Sequence, residues 1–566
     1  MAFRDVASKH VTDPRIVIEI YFNSGTRYYS TEYVSTYKGK VLSVPEIRSS
    51  IGDIQRTYEH NKFTIIMDDS DYEFRGLEDT ETVGFVGLRV RIRLGFLSDA
   101  WATIRTLFDG KIYDYRRLDG LRYEFDIEEL THKNLYNMYP DYTITRAEYP
   151  NAHDTALGLA IPIIFGTISA VGLTDDGAFG HPSLANSTGM PFTCTTQDAE
   201  EHLIGTSYCT DAIDPTYAGI GVYNVYKNGV LQTAVVHYNI AFRTIGGKRH
   251  HYIAWVAGAR PVETDFISCD VYVSIQSPMT DFIKFLWSHC GYTYPDDFNL
   301  TYLTAAYYVE TGRGWTLIGI PGALWEQKTL HEHMNELRNE FDLDIFWDSD
   351  GKICFKYQTA AYSSTAPHYR DYLDMIGGEY ESNVHGEEII NWIKWGYSYN
   401  YARNYYYNFA FDEDAASQTK YGATFKKYGG FQMVRSATVA ADLLARKLLR
   451  FKDPLIFESY RLPLKSYADV LADPIKITNY QGGGSAGHVN RNFQLRETNY
   501  DLVHFTNRVL LEDTSNYTGR ACILGDGTAL AASWAVADSD DRQYCYLCDS
   551  GTNAFSDGEP GKMLVD

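Results

Sequence analysis

Six stretches of this 566-residue sequence hold side chains whose types and spacing could support chemistry. Cys545 and Cys548 form a CxxC pair. A structural zinc site needs four ligands, and the only other nearby cysteine, Cys522, brings no histidine at a familiar spacing, so two ordinary thiols are expected. Ser288-His289-Cys290 sets candidate nucleophiles beside an imidazole. Neighbours on a helix point about 100° apart and do not converge on one centre, so this reads as a helix end. His331-Glu332-His333 lacks the four-residue histidine spacing of a zinc protease helix and is expected at the surface. Asp348-Ser349-Asp350-Gly351 looks like part of a calcium loop. Aligned on Gly351, its first and twelfth positions fall on Phe346 and Tyr357, so two required ligand oxygens are missing and a β-turn is expected. Glu387 and Glu388 stand near Trp392 and Trp395, but a glycosidase needs its two carboxyls on opposite sides of a sugar. Gln481-Gly482-Gly483-Gly484-Ser485 has no following Lys-Ser/Thr pair and reads as a loop, not a phosphate cradle. The expectation is no catalytic centre, no metal, no cofactor and no enzymatic activity.

The bulk composition narrows the remaining classes. The length calls for three or four domains. The net charge of −22 disfavours specific nucleic-acid binding, because such a chain repels phosphates. Tyrosine occurs 46 times against 9 methionines, which suits strands and contact surfaces. The scattered cysteines fit a reducing cytosol during synthesis. The first residues lack the apolar centre of a signal peptide. The most apolar run, Leu157 to Ile168, contains Pro162 and Gly166 and is too short to span a bilayer, so no membrane insertion is expected.

The elements that would position any site are mainly strands. Arg15 to Phe22 and Lys62 to Met67 read as strands, followed by a turn at Asp68 to Asp71 and a further run, Tyr72 to Arg75. Leu88 to Leu94 alternates Leu88, Val90, Ile92 and Leu94 with Arg89, Arg91 and Arg93, the signature of a half-buried strand. The arginine row has two readings: a contact aimed at an acidic neighbouring subunit or a lumen, or a solvated face paired with acids on the next strand. Thr106 to Tyr115 reads as β with a turn at Asp109-Gly110, then Leu121 to Ile127. Between Val222 to Tyr226 and Leu231 to Tyr238, Asn228-Gly229 predicts a hairpin turn. Helices are predicted at Met279 to His289, at about Trp325 to Phe341 and at about Val439 to Phe451. Hairpins are predicted at Leu343 to Tyr357 and at Glu388 to Phe411.

The order of these features resembles the tail-hub and baseplate-hub proteins of tailed bacteriophages. The residues that carry the resemblance are Leu107-Phe108-Asp109-Gly110-Lys111-Ile112, the span from Tyr149-Pro150 to Gly158, and Ile161-Pro162-Ile163-Ile164-Phe165-Gly166. They continue with Val222 to Val230, Asp350-Gly351-Lys352-Ile353, Ile390-Asn391-Trp392, Ala440 to Arg446 and Asp473-Pro474-Ile475-Lys476-Ile477-Thr478. Members often carry glycine before that last aspartate, where this chain has Ala472. The resemblance implies a mainly β (α+β) fold with tandem tail-tube-like β-barrel domains and a small β insertion domain. The corresponding division is a barrel over 1–168, an insertion over 169–278, a helix-plus-hairpin domain over 279–400, completion of a second barrel over 401–510, and a C-terminal tip over 511–566. It further implies a homotrimer at the virion tail tip, made in the host cytoplasm. Its partners would be the tail tube or distal tail protein, the tape measure protein, and spike, fibre or receptor-binding proteins. A carbohydrate- or receptor-binding tail protein, with its site in the 169–278 insertion, is the alternative; a polysaccharide hydrolase is a third.

Overall fold

The computed structural model describes most of residues 14–513, leaving out 33–36, 45, 52–57, 60–61, 97–104, 131, 151–156, 166, 169–178, 183–192, 195–200, 208–219, 246–247, 263–264, 274–278, 313–321, 358–365, 377–379, 402–403 and 483–486; beyond 513 it describes 514, 523–524, 546–547 and 562–565. The chain divides into two units, Met1–Asp513 and Thr514–Asp566. The protein is mainly β with a few helices, as the sequence predicts.

The first unit begins with an eight-stranded, barrel-like sheet. Its spatial order is Lys38–Gly39, Gly25–Ser30, Pro14–Phe22, Arg89–Phe96, Arg105–Arg117, Arg122–Glu129, Phe63–Asp68, Val41–Ser43. Period-two alternation does the sorting: Ile16, Ile18, Ile20, Val90, Ile92, Leu94, Ile65, Met67, Phe125 and Ile127 all lie in one buried cluster. Two local expectations fail here. Tyr72 to Arg75 is not extended; Glu73–Glu78 is a short helix that starts after Tyr72, and its first-turn Phe74 N–H donates to the buried Asp69 carboxylate at 2.7 Å. Asp109-Gly110 is not a turn either. Arg105–Arg117 runs straight through it, with Gly110 opposite Val90 on one side and Glu129 on the other. Glycine is required there for close approach: a Cβ would strike the Glu128 carbonyl oxygen and the Phe108 ring.

A second eight-stranded sheet is built around the long strand His488–Asp501. Thr506–Asp513 pairs along one edge, and Leu455–Pro463 and Glu381–His385 follow outward. The other edge is shared. Pro474–Asn479 takes its first half, and Ile47–Ile51, a strand from the N-terminal region, takes its second half with Ile47 opposite Tyr500. Arg48 clamps Glu497 across this seam with two hydrogen bonds of 2.8 and 2.9 Å. Leu464, Tyr467, Tyr500 and Leu502 also enter the core of the first sheet. The N-terminal chain thus passes from the first sheet into the second through Ile47–Ile51, and the two sheets share packing residues.

Helices Met279–His289, Leu300–Gly312, Leu330–Phe341 and Ala437–Phe451 pack with the hairpin Leu343–Trp347/Ile353–Tyr357 into one large core. Leu330–Phe341 starts later than the pattern suggested. Thr329 caps it in a reciprocal box with Glu332, and Lys328–Thr329 is already strand, paired with Met138–Tyr139. The helix Leu300–Gly312 was not predicted: LTYLTAAYYVETG has no polar stripe to announce a period.

The intervening region forms two smaller sheets over a common core that includes Val225, Ile253, Trp255, Ile267 and Val271. Asn228 and Gly229 both take positive φ between Ile220–Lys227 and Val230–Gln232, the turn chemistry that Asn-Gly predicts. Tyr238 belongs to a later strand, Tyr238–Ile245. In the second unit, Lys562–Val565 pairs with Ile523–Leu524 and with Tyr546–Leu547.

Candidate functional site

The arginine strand is the one site the sequence singles out by position. Val90, Ile92 and Leu94 are fully buried on one face of Arg89–Phe96, at roughly 1.5–3 kcal/mol each. Partly exposed ion pairs contribute at most about 1 kcal/mol each, so apolar burial decides which way the strand faces and the arginines follow.

On the outer face the charges are answered by the two neighbouring strands. Arg89 donates from Nε to Asp109 Oδ1 at 2.8 Å, and Arg91 from Nε to Asp109 Oδ2 at 2.7 Å. Arg93 pairs with Glu19 at 2.7 Å. Tyr21 ties the row together: it accepts from Arg91 at 3.1 Å, donates to Glu19 at 3.0 Å, and lies under the Arg89 and Arg91 guanidiniums at 5.6 and 5.7 Å. Burial, and then the Glu19 charge, raise the Tyr21 phenol above its usual pKa. Asp109 and Glu19 are themselves buried while the arginine side chains stay a quarter to a third exposed. The face is a paired network with its cationic ends outward. Gly351, in the turn of the Leu343–Tyr357 hairpin, comes against Asp109; a Cβ there would sit 3.5 Å from the Asp109 Cβ. The arginine row thus reaches the junction between the first sheet and the helical core. The sequence shows the arginines in plain alternation, but Asp109, the partner of Arg89 and Arg91, stands in an Asp-Gly pair whose chemistry predicts a turn.

The other candidates resolve one by one. Ser288 Oγ donates back to the Lys284 carbonyl at 2.7 Å and His289 Nδ1 to the Phe285 carbonyl at 2.9 Å, while burial pushes the Cys290 thiol up to about 12. Those are the contacts of a helix end. His333 is a correction: it is not at the surface but 3% exposed, with Nε2 donating to the Tyr139 carbonyl at 2.9 Å. Asp348 to Gly351 forms the expected turn, with Asp348 Oδ1 accepting from the Asp350 and Lys352 N–H groups, both at 2.9 Å. Glu387 and Glu388 sit together in a short 3-10 turn, Gly386–Glu388. Cys522, Cys545 and Cys548 lie outside the residues whose side chains are described, as do 483–486 of the glycine run. Among the described residues, no group of three or more His, Cys, Asp or Glu is placed to hold a metal ion, and no helix is long and apolar enough to cross a membrane.

Sequence reasoning missed a buried ionic cluster in the second sheet. Arg496 donates to Glu512 at 2.5 Å and to Asp344 at 3.2 and 3.3 Å, and Arg450 donates to Glu512 at 3.1 Å. All four side chains are essentially inaccessible. The cluster fastens the long strand, the helix Ala437–Phe451 and the hairpin to one another.

No family model and no curated protein matches this sequence. Among solved structures, the chain is similar to the 43 kDa tail protein of prophage MuSo2 from Shewanella oneidensis, at 9% identity and a TM-score of 0.39 over 89% of this chain and 99% of that one. It is similar to the tail protein from Neisseria meningitidis MC58 at 7% identity and a TM-score of 0.36, over 89% and 99%. A chain from the virion of a native gene transfer agent particle matches at 10% identity and a TM-score of 0.38, over 64% and 86%. Each is a tail or virion protein.

Proposed function

We propose that this chain is a structural component of a phage tail tip: a hub of three copies that caps the tail tube, matches its sixfold ring to a threefold tip, and lets DNA pass once the tail engages a host. The observation that carries the reading is the pair of eight-stranded sheets in one chain, stitched by Ile47–Ile51 and sharing core residues. Three copies would present six such sheets as one ring, which is the symmetry match the motif order implies. The role is geometric and not catalytic. Tube or distal tail protein would lie on one side, and tape measure, spike, fibre or receptor-binding proteins on the other. The acidic balance suits a conduit that should not hold DNA. In this reading the outward ends of Arg89, Arg91 and Arg93 meet an acidic neighbour in the ring.

Native mass measurement of the full chain tests the stoichiometry. The expected species is about 193 kDa, three chains of 64.3 kDa. A lone 64.3 kDa species that persists as concentration rises contradicts it.

A further inference from the structure

The three-stranded sheet Tyr405–Glu413, Trp392–Asn400, Lys426–Gly430 has two unlike faces. Ile393, Trp395, Tyr397 and Ala410 turn into the large core, against the helix Ala437–Phe451. Register places Trp392, Lys394, Phe409, Phe411, Lys426 and Tyr428 on the opposite face, with Glu413 at its end beside Trp392. There Phe409, Phe411 and Tyr428 are 55%, 53% and 63% exposed. Three exposed rings beside the half-buried Trp392 make a patch of the kind found at the centre of a protein contact, and it stays uncovered in the single chain.

The geometry points to this face as a subunit contact, seated against an acidic surface of a second copy of the same chain. The inference rests on the assembly reading above and names the surface that makes it. Two observations select the occupant. Lys394 stands 4.7 Å over the Phe409 ring and Lys426 5.2 Å over the Trp392 ring, and neither has a carboxylate partner among the described residues. The lysines and arginines of the first sheet, by contrast, are largely tied to carboxylates. Unanswered lysines on a chain of net charge −22 face a surplus of carboxylates on any other copy. Two lysines against the single Glu413 leave the face net cationic, so its complement is an acidic surface elsewhere on the second copy, a heterologous contact of the type that closes into rings.

A sugar fits the face less well. Trp392 meets Phe411 at 5.1 Å with planes 59° apart and Tyr428 at 5.3 Å with planes 58° apart, and Lys426 already covers its ring. Stacking on a sugar needs open, roughly coplanar rings. These are tilted into a cluster.

The test uses the full chain in sedimentation velocity over a concentration series. The variants are Phe411→Ser with Tyr428→Ser, and Lys394→Glu with Lys426→Glu. The expected result is an associating wild type and, in each double variant, a dissociation constant raised at least about 30-fold, as hot-spot loss implies. Circular dichroism and thermal midpoint at concentrations where all forms are dissociated should match the wild type. The lysine pair, wholly on the surface, keeps the test decisive if the aromatic pair misfolds. Both variants associating like the wild type would overturn the surface assignment and leave the hub reading standing. A wild type that never associates would remove both. Unchanged association with loss of a glycan-array signal would make the face a sugar site and overturn the inference.

Discussion

Glu310 links a single buried carboxyl to the pH dependence of the whole fold. It is 1% exposed, between the helix Met279–His289 and the hairpin, and its oxygens accept from Thr280 N–H at 3.2 Å, Thr280 Oγ1 at 3.1 Å and Tyr357 OH at 2.7 Å. Burial pushes its pKa up from 4.5 to about 7, and the hydrogen bonds from Tyr357 and Thr280 only partly pull it back. The folded chain thus keeps a proton up to about pH 7 that the unfolded chain releases near 4.5. Between those values the folded state binds more protons, so this group's contribution is fully present below the lower value and is lost as pH rises through the upper one. At 1.36 kcal/mol per pKa unit, the loss approaches about 3 kcal/mol by pH 8. Glu310→Gln keeps the shape and removes the titration. Its Oε1 can still accept from Thr280 and Tyr357, and its amide can donate to Thr280 Oγ1. Urea melts of both proteins at intervals from pH 5 to 8 should show near-equal midpoints at the acid end. At pH 8 the variant should be the more stable by about 1–3 kcal/mol. Parallel profiles for the two proteins would refute the reasoning.

Other perturbations follow from the same contacts. Arg496→Met removes the guanidinium that Asp344 and Glu512 share in the core, leaving Arg450 on Glu512, and should cost about 3–5 kcal/mol in denaturant melts, with part of the loss recovered by adding Asp344→Leu. Gly110→Ala should cost about 1–3 kcal/mol, because the new methyl meets the Glu128 carbonyl and the Phe108 ring; a neutral outcome would restore the turn reading of Asp109-Gly110. Asp109→Ala should lower the thermal midpoint by removing the shared acceptor of Arg89 and Arg91, and Arg91→Ala in the same background should then cost less than it does alone.

What was legible in the sequence was local. The alternation of Val90, Ile92 and Leu94 with three arginines, the Asn228-Gly229 and Asp348 to Gly351 turns, and the apolar stripes of Met279–His289 and Ala437–Phe451 depend on neighbours within a few residues. What was not legible depends on partners far along the chain. Asp109 and Gly110 are turn-forming residue types, yet a guanidinium pair 18 to 20 residues away and the Glu128 backbone outweigh that preference. His333 looks like a surface residue until the Tyr139 carbonyl, 194 positions away, accepts its proton. Arg496 and Asp344 are separated by 152 positions, so no window of sequence announces their ion pair. The aromatic-lysine face was missed for another reason. Its hairpin was predicted, but which side of it stays bare depends on where the helix Ala437–Phe451 packs.

Imaging the tail tip of the parent particle tests the central claim most directly. The account predicts three copies of this chain about the tail axis, with six eight-stranded sheets continuing the tube's ring. A tip in which the chain is present once, or sits off the axis as a peripheral appendage, would contradict it.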